Sequence, residues 1–398
     1  MKRLFLESLA TWKGAAKRQP LLLSGARQVG KTHVLKEFGH REFSTYHYLN
    51  FEEKPQLKSI FSGELSAQTL IHELELRLNV RIDLSHDLLI LDEIQECPQA
   101  LTSLKYFSEG LPELAVCAAG SLLGLLLCEG SFPVGNVNRT WLGPLKFQEF
   151  LGGIGREREL QAYQQAVSSW KISLSTHQVL LETYRIFCAL GGLPAVVKSF
   201  AENQTHFVEA LKLARKEQSD VLKDYFDDIA KHSGKVRATD ITKVLDATAN
   251  QVGRNLDQGV LKFRFKGVLS GKSNYSTLSS PVEWLVRAGL IYKVGIADTP
   301  QYPLSAYTKT NAFKLYLFDT GILGALTGIP ITVLYQDHYG TAKGAIAENM
   351  ALQLLVNDSE HNTYSWQKNT AEIEYLLSYH DKLVPLEVKA SHRTRARS

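Results

Sequence analysis

Gly25-Ala-Arg-Gln-Val-Gly30-Lys31-Thr32 leaves this chain few options. Its spacing is G-x-x-x-x-G-K-[ST], a loop that holds phosphate. Ahead of it, Pro20-Leu-Leu-Leu-Ser24 reads as a short buried strand. Behind it, Thr32-His-Val-Leu-Lys-Glu-Phe38 reads as a helix. A strand, a glycine loop and a helix N-terminus make an anion site. Backbone N–H groups from Ala26, Arg27, Gln28 and Val29 onward face one concavity, and the helix dipole adds positive charge there. Gly25 and Gly30 permit a backbone that a Cβ would obstruct. Lys31 is placed to reach β/γ-phosphates, and the Thr32 hydroxyl to sit on Mg²⁺. ATP and Mg²⁺ are therefore the expected ligands. The competing reading, a chance match in a glycine-bearing loop, leaves the flanking strand and helix unexplained.

Such a loop needs a second strand carrying an acid for the metal. Asp87-Leu-Leu-Ile-Leu-Asp92-Glu93 supplies one. Leu88 to Leu91 are wholly apolar, as in a central parallel strand buried on both faces. Asp92 is predicted to hold Mg²⁺ through water, and Glu93 to polarise an attacking water, a pattern of hydrolysis rather than of kinase chemistry. An ordinary strand ending in solvated acids is the alternative. Leu114-Ala-Val-Cys-Ala-Ala119 reads as a third strand ending at Gly120-Ser121, with Ser121 placed to cap a helix over Leu122 to Leu127.

GARQVGKT, LLILDEIQ, AAGSLLG and PLKFQEFL, in this order, resemble the prokaryotic AAA-type ATPases that join an ATPase core to a C-terminal region of uncharacterised function. The resemblance covers nearly the whole chain. It implies ATP binding and hydrolysis, and it implies that Ser121 senses the γ-phosphate, a role compatible with capping. Relatives carry a basic residue where this chain reads Phe132-Pro-Val-Gly-Asn136. Asn136 is neutral, so Arg139, Arg156 and Arg158 are the candidates for an arginine finger, each equally readable as a surface charge. AAA-type sites often borrow a neighbouring subunit's arginine, which puts a homo-oligomer among the expected partners.

At 398 residues, two or three domains are expected. Hydrophobic content of 44% against 22% charged residues is that of a soluble globular protein. A net charge of +4 is weak evidence for nucleic acid. Two stretches are locally basic: Lys262-Phe-Arg264-Phe-Lys266 and His392-Arg393-Thr-Arg395-Ala-Arg397. The first suits either phosphate contacts or an amphipathic strand with one solvated face. Cys97, Cys117, Cys128 and Cys188 form no C-x-x-C pair, so buried free thiols in a reducing cytoplasm are expected. The histidines show no zinc spacing. Met1-Lys-Arg-Leu-Phe-Leu-Glu-Ser has no apolar core of signal-peptide length, and the run Leu122–Cys128 is far below the ~20 residues of a membrane span.

The expected fold is α/β. Residues 1–155 read as a P-loop NTPase parallel sheet with helices on both faces. Residues 156–300 read as a helical and winged-helix-like domain. There a helix begins at Arg237-Ala-Thr239-Asp240 with Thr239 as N-cap, a second runs from Leu278 to Ala288, and Gly289–Val294 is a strand. Such modules often bind duplex DNA through the second helix, although Arg287 is its lone cation; packing against protein fits equally. Residues 301–398 read as a small α+β nuclease-like domain. Glu348 lies on a helix beginning near Thr341, Glu374 on a strand, and Glu387 with Lys389 on the strand that pairs with it, Asp381 shaping the turn. These residues resemble the PD-(D/E)xK nuclease fold, in which strand acids hold Mg²⁺ beside a lysine. Alternation is expected to send Glu387 and Lys389 to one face. Glu374 stands where Asp is commoner, and the chain stops nine residues after Lys389, short of that fold's further helix and strand, so a solvated hairpin or a degenerate, non-cutting nuclease fold that binds nucleic acid is the alternative. Three functions follow as expectations: an ATP hydrolase driving its C-terminal region against duplex DNA or a protein, a nucleotide-gated binding module with little turnover, or an ATP-regulated Mg-dependent nuclease.

Overall fold

The structure, a computed structural model, describes residues 1–121, 123–126, 135–254, 262–269, 274–336, 342–356, 363–368 and 371–390. The chain divides into two compact units, Arg3–Gly143 and Pro144–Ser398, the latter joined by Met1–Lys2.

The N-terminal unit is an α/β layer structure. Its strands β1 (Leu21–Ser24), β2 (Thr45–Asn50), β3 (Asp87–Asp92), β4 (Ala115–Gly120) and β5 (Asn138–Trp141) form one parallel sheet in the order β2-β3-β4-β1-β5. Every residue of β3 and β4 is buried, which is why both read as unbroken apolar runs. Helix α1 (Phe5–Lys13) precedes β1, while α2 (Lys31–Glu42), α3 (Ala67–Leu78) and α4 (Pro98–Gly110) carry the connections, with a short α5 (Leu123–Leu126) after β4. Leu22, Leu49, Leu89, Leu91, Phe61, Leu70, Leu104 and Phe107 belong to one core between sheet and helices. The strand order matters for the site. β4 stands between β1 and β3, pairing Ser24 with Gly120 and Leu91 with Ala118. The carboxyl ends of all three strands therefore emerge side by side, where ligands bind open α/β sheets.

The C-terminal unit begins with helices: α6 (Phe147–Gly153), α7 (Glu157–Ser169), α8 (Leu174–Leu190), α9 (Pro194–Glu202), α10 (Phe207–Ser233), α11 (Lys235–Arg254) and α12 (Tyr275–Arg287). A five-stranded sheet follows: β6 (Ile291–Ala297), β7 (Thr308–Leu317), β8 (Tyr364–Lys368), β9 (Ala371–Tyr379) and β10 (Lys382–Leu386), in the order β10-β9-β8-β6-β7. It is antiparallel except where β6 and β8 pair in parallel. Between β7 and β8 come α13 (Thr320–Leu326), α14 (Ile331–Tyr335) and α15 (Ala342–Val356).

The first compact unit ends at Gly143, and Gly152 and Gly153 end α6 inside the second. The sheet runs from β6 to β10 and crosses the expected limit at 300, because β6 pairs with β7 on one side and β8 on the other. Thr239 is no N-cap. Gly234 separates α10 from α11, and α11 starts at Lys235, leaving Thr239 inside it.

In the first basic stretch the residues alternate: Phe263 is buried, and Lys262, Arg264 and Lys266 are exposed. Phe263 stacks on Phe313 of β7 at 6.2 Å and donates its N–H to the Phe313 carbonyl at 2.8 Å. The second basic stretch, at 392–397, and Cys128 lie outside the described residues. Among the described residues Cys97, Cys117 and Cys188 are free thiols, the first two buried, and no helix is long and apolar enough to cross a membrane.

Candidate nucleotide site

The loop after β1 turns by alternating backbone handedness. Gln28 has φ 65° and Gly30 φ 96°, both left-handed, and α2 starts at Lys31. Gly25 has φ 154°, and a Cβ there would lie 2.3 Å from the carbonyl oxygen of Leu142. Ala26 and Val29 are buried and anchor the loop, while Arg27 and Gln28 are half-buried. Arg27 pairs with Glu52 at 3.7 Å. Below the loop, the buried Arg3 donates to the carbonyls of Val29 (2.7 Å) and Gly143 (2.9 Å), tying loop and sheet edge together. Lys31 is 6% exposed, and its Nζ donates to the carbonyls of Gly25 (3.0 Å) and Ala26 (2.9 Å).

The sequence-predicted partners converge on this loop. Thr32 Oγ1 donates to Asp92 Oδ2 at 2.7 Å, joining the start of α2 to the end of β3. Asp92 also accepts from Tyr48 OH (2.8 Å) and from the Glu93 N–H (3.0 Å). Asn50 Nδ2 donates to the Tyr48 oxygen at 3.1 Å, so the phenol's own proton is left for Asp92. Tyr48 and Asn50 lie two apart on β2 and share a face. Glu93 stands on a left-handed backbone (φ 49°, ψ 46°) that turns its side chain out of the strand line. Its carboxylate accepts from Gln95 Nε2. Burial pushes the Glu93 pKa above the usual carboxylate range, against the lowering influence of the Gln95 amide and of Lys31. Ser121 follows β4 and is buried. Of the three candidate fingers, Arg139 is exposed on the edge strand β5, while Arg156 and Arg158 belong to the C-terminal unit, the former paired with Glu159 at 3.1 Å.

The donor set fits Mg²⁺. A hydroxyl and one carboxylate oxygen 2.7 Å apart offer the hard ligands that this ion uses when phosphates and waters complete its shell. Tyr48, Asn50, Gln95 and Arg3 are the participants that the sequence reading missed.

The nuclease-like residues are only partly brought together. Glu348 on α15 is buried and accepts from Tyr316 OH at 2.9 Å. Burial raises its pKa to about 7, with Lys314 lowering it and Glu374 and Glu372 raising it. Glu374 on β9 is raised by burial too and accepts from the Val388 N–H at 3.3 Å. Lys314, 4% exposed, pairs with Glu372. Glu387 and Lys389 depart from expectation. β10 ends at Leu386, so they lie beyond the strand, are exposed and pair with each other. Among the described residues no three His, Cys, Asp or Glu side chains gather to hold a metal.

Residues 17–151 match the family model of an AAA domain. An AAA domain stands at the N-terminus. Residues 181–332 match a domain of unknown function, DUF8612. Among solved structures, the chain is similar to the Walker-type ATPase PABY2304 of Pyrococcus abyssi. The TM-score is 0.52 and the identity 16%, over 81% of this chain and 94% of that one, a likeness of fold. Lower on the scale are Drosophila ORC bound to DNA (TM-score 0.31, 14% identity, 81% of this chain and 94% of that one) and the Aeropyrum pernix ORC1 protein in complex with DNA (0.29, 14%, 83% and 91%). Scores that low carry no functional argument. No curated protein matches the chain.

Proposed function

We propose that this protein hydrolyses ATP with Mg²⁺ at the AAA domain and couples nucleotide state to its C-terminal unit. One observation carries the reading: Thr32 and Asp92, from opposite sides of β4, share a hydrogen bond at the mouth of the loop, with Glu93 the next residue. In this reading the loop's N–H groups and Lys31 bind the phosphates, Lys31 exchanging its two carbonyl partners for phosphate oxygens. Thr32 and Asp92 hold Mg²⁺, which neutralises developing charge on the phosphates when bound. Glu93, with its raised proton affinity, takes a proton from the attacking water. Ser121, at the end of the strand between the two motifs, is placed to sense the γ-phosphate.

The C-terminal partner in this reading is duplex DNA or a protein. The run α11, α12, β6 supports a winged-helix-like use, with the exposed Lys262, Arg264 and Lys266 nearby in sequence. A nuclease is disfavoured by the exposed position of Glu387 and Lys389, and a nucleotide-gated module with little turnover is the second reading. The test is phosphate release from Mg-ATP, with and without duplex DNA, using Lys31→Ala as the blank. Turnover stimulated by DNA supports a DNA-acting switch. Turnover indifferent to DNA points to a protein partner. Nucleotide binding without turnover replaces the hydrolase with the gated module.

A further inference from the structure

Glu93 does not stand alone at the end of β3. Gln95, two residues on, donates its Nε2 to Glu93 Oε2 from within the short 3-10 turn Ile94–Glu96. The other end of that amide is anomalous. Gln95 Oε1 is buried and has no hydrogen-bond partner among the described residues. Leaving such an acceptor unpaired is costly, so the amide must be held by what surrounds it. That surrounding includes the end of β4. A Cβ built on Gly120 would lie 2.4 Å from Gln95 Oε1 and 2.9 Å from Leu123 Cγ. Gly120 thus leaves the space that the Gln95 amide occupies, one residue before Ser121. An amide facing a carboxylate must present its N–H₂, which directs the oxygen toward β4.

We propose that Gln95 is the positioning residue for Glu93, an amide wedged between the Glu93 carboxylate and the Gly120–Ser121 end of β4. By holding Oε2 it fixes the side-chain direction that the left-handed backbone begins, and it leaves Oε1 as the free acceptor for a water proton. The inference rests on the ATPase reading above for its consequence in turnover, but the wedge itself does not need turnover to be tested.

The experiment compares the full chain with Gln95→Leu and with Gln95→Met, which keeps the length of the side chain but not its donor. The first readout is the crystal structure of each variant, which shows where the Glu93 side chain points without any need for turnover. The second is kcat and KM for Mg-ATP. In both variants the Glu93 carboxylate is expected to leave the direction it holds against the Gln95 amide, with kcat lowered about tenfold or more and KM little changed. A Glu93 side chain that has not moved in either variant overturns the proposal whether or not the protein turns over ATP. So does an unchanged kcat where turnover depends on Lys31. A chain without Lys31-dependent turnover sinks the hydrolase reading instead, and the variant structures still decide the role of Gln95.

Discussion

Lys31 puts the only ammonium of the phosphate loop among that loop's own carbonyls, and its present partners are weak competitors for a polyphosphate. Lys31→Ala is expected to abolish tight ATP binding, read by titration with a fluorescent ATP analogue; unchanged affinity would remove the loop from the site. Glu93→Gln keeps the shape and hydrogen-bonding reach of the side chain but not its basicity. It is expected to retain nucleotide binding and lose at least about a hundredfold in turnover, and a fully active variant would take Glu93 out of its role. These residues were legible because their chemistry demands a fixed local spacing. Tyr48, Asn50 and Arg3 were not. Tyr48 lies 44 positions from Asp92 and meets it only through the β2–β3 pairing. Arg3 lies 26 positions from Val29. Nothing in the local pattern around either residue marks the partner it finds.

Between elements, Asp319 joins distant parts of the C-terminal unit. It is fully buried, caps α13 through the Ile322 N–H (3.0 Å), and accepts from the Gly192 N–H at 2.7 Å in the turn between α8 and α9. Gln353 of α15 reaches the same carboxylate at 3.3 Å. One side chain thus gathers three segments, and burial lifts its pKa to about 6 despite those donors. Asp319→Ala strands several buried donors at once. The expected cost is roughly 2–5 kcal/mol by urea denaturation, and a loss under about 0.5 kcal/mol, typical of a surface change, would mean that the turn is held elsewhere. Gly191-Gly192-Leu-Pro194 carries a helix-stop signal within its own stretch of sequence, because glycine and proline act locally. Asp319 carries no mark of being that turn's partner, because it is distant in sequence and looks like any acid before a helix. The same limit explains Glu387 and Lys389. Alternation predicts which way strand residues point, but not that pairing with β9 stops at Leu386.

On the scale of the molecule, each unit has its own core, with Leu22 to Leu123 in the first and buried clusters around Tyr316, Tyr375, Leu352 and Leu376 in the second. Separate cores allow separate unfolding transitions, and two perturbations should tell them apart. The first is pH. Glu348 has a folded pKa of about 7 against an ordinary 4.5. Its contribution to stability is therefore complete below about pH 4.5 and lost as pH rises through 7, on the order of 3 kcal/mol for a shift of this size. Lys314, Tyr316, Glu372 and Glu374 face the same carboxyl, and Tyr375 OH donates to the Glu348 main-chain carbonyl beside it, so the comparison that isolates the carboxyl is Glu348→Gln, whose melting should fall less steeply between pH 4.5 and 7. The second perturbation is nucleotide. Mg-ATP at a hundred times its Kd is expected to stabilise the unit that binds it by about 2.7 kcal/mol, with no such shift in Lys31→Ala. Coupling then has a measurable size. If nucleotide state drives the C-terminal unit, Mg-ATP must also move the transition that responds to Glu348→Gln, by the coupling free energy, typically about 1–3 kcal/mol. A nucleotide effect confined to the other transition would leave an ATPase whose C-terminal unit does not sense it, and the proposed coupling would fall while the site stood.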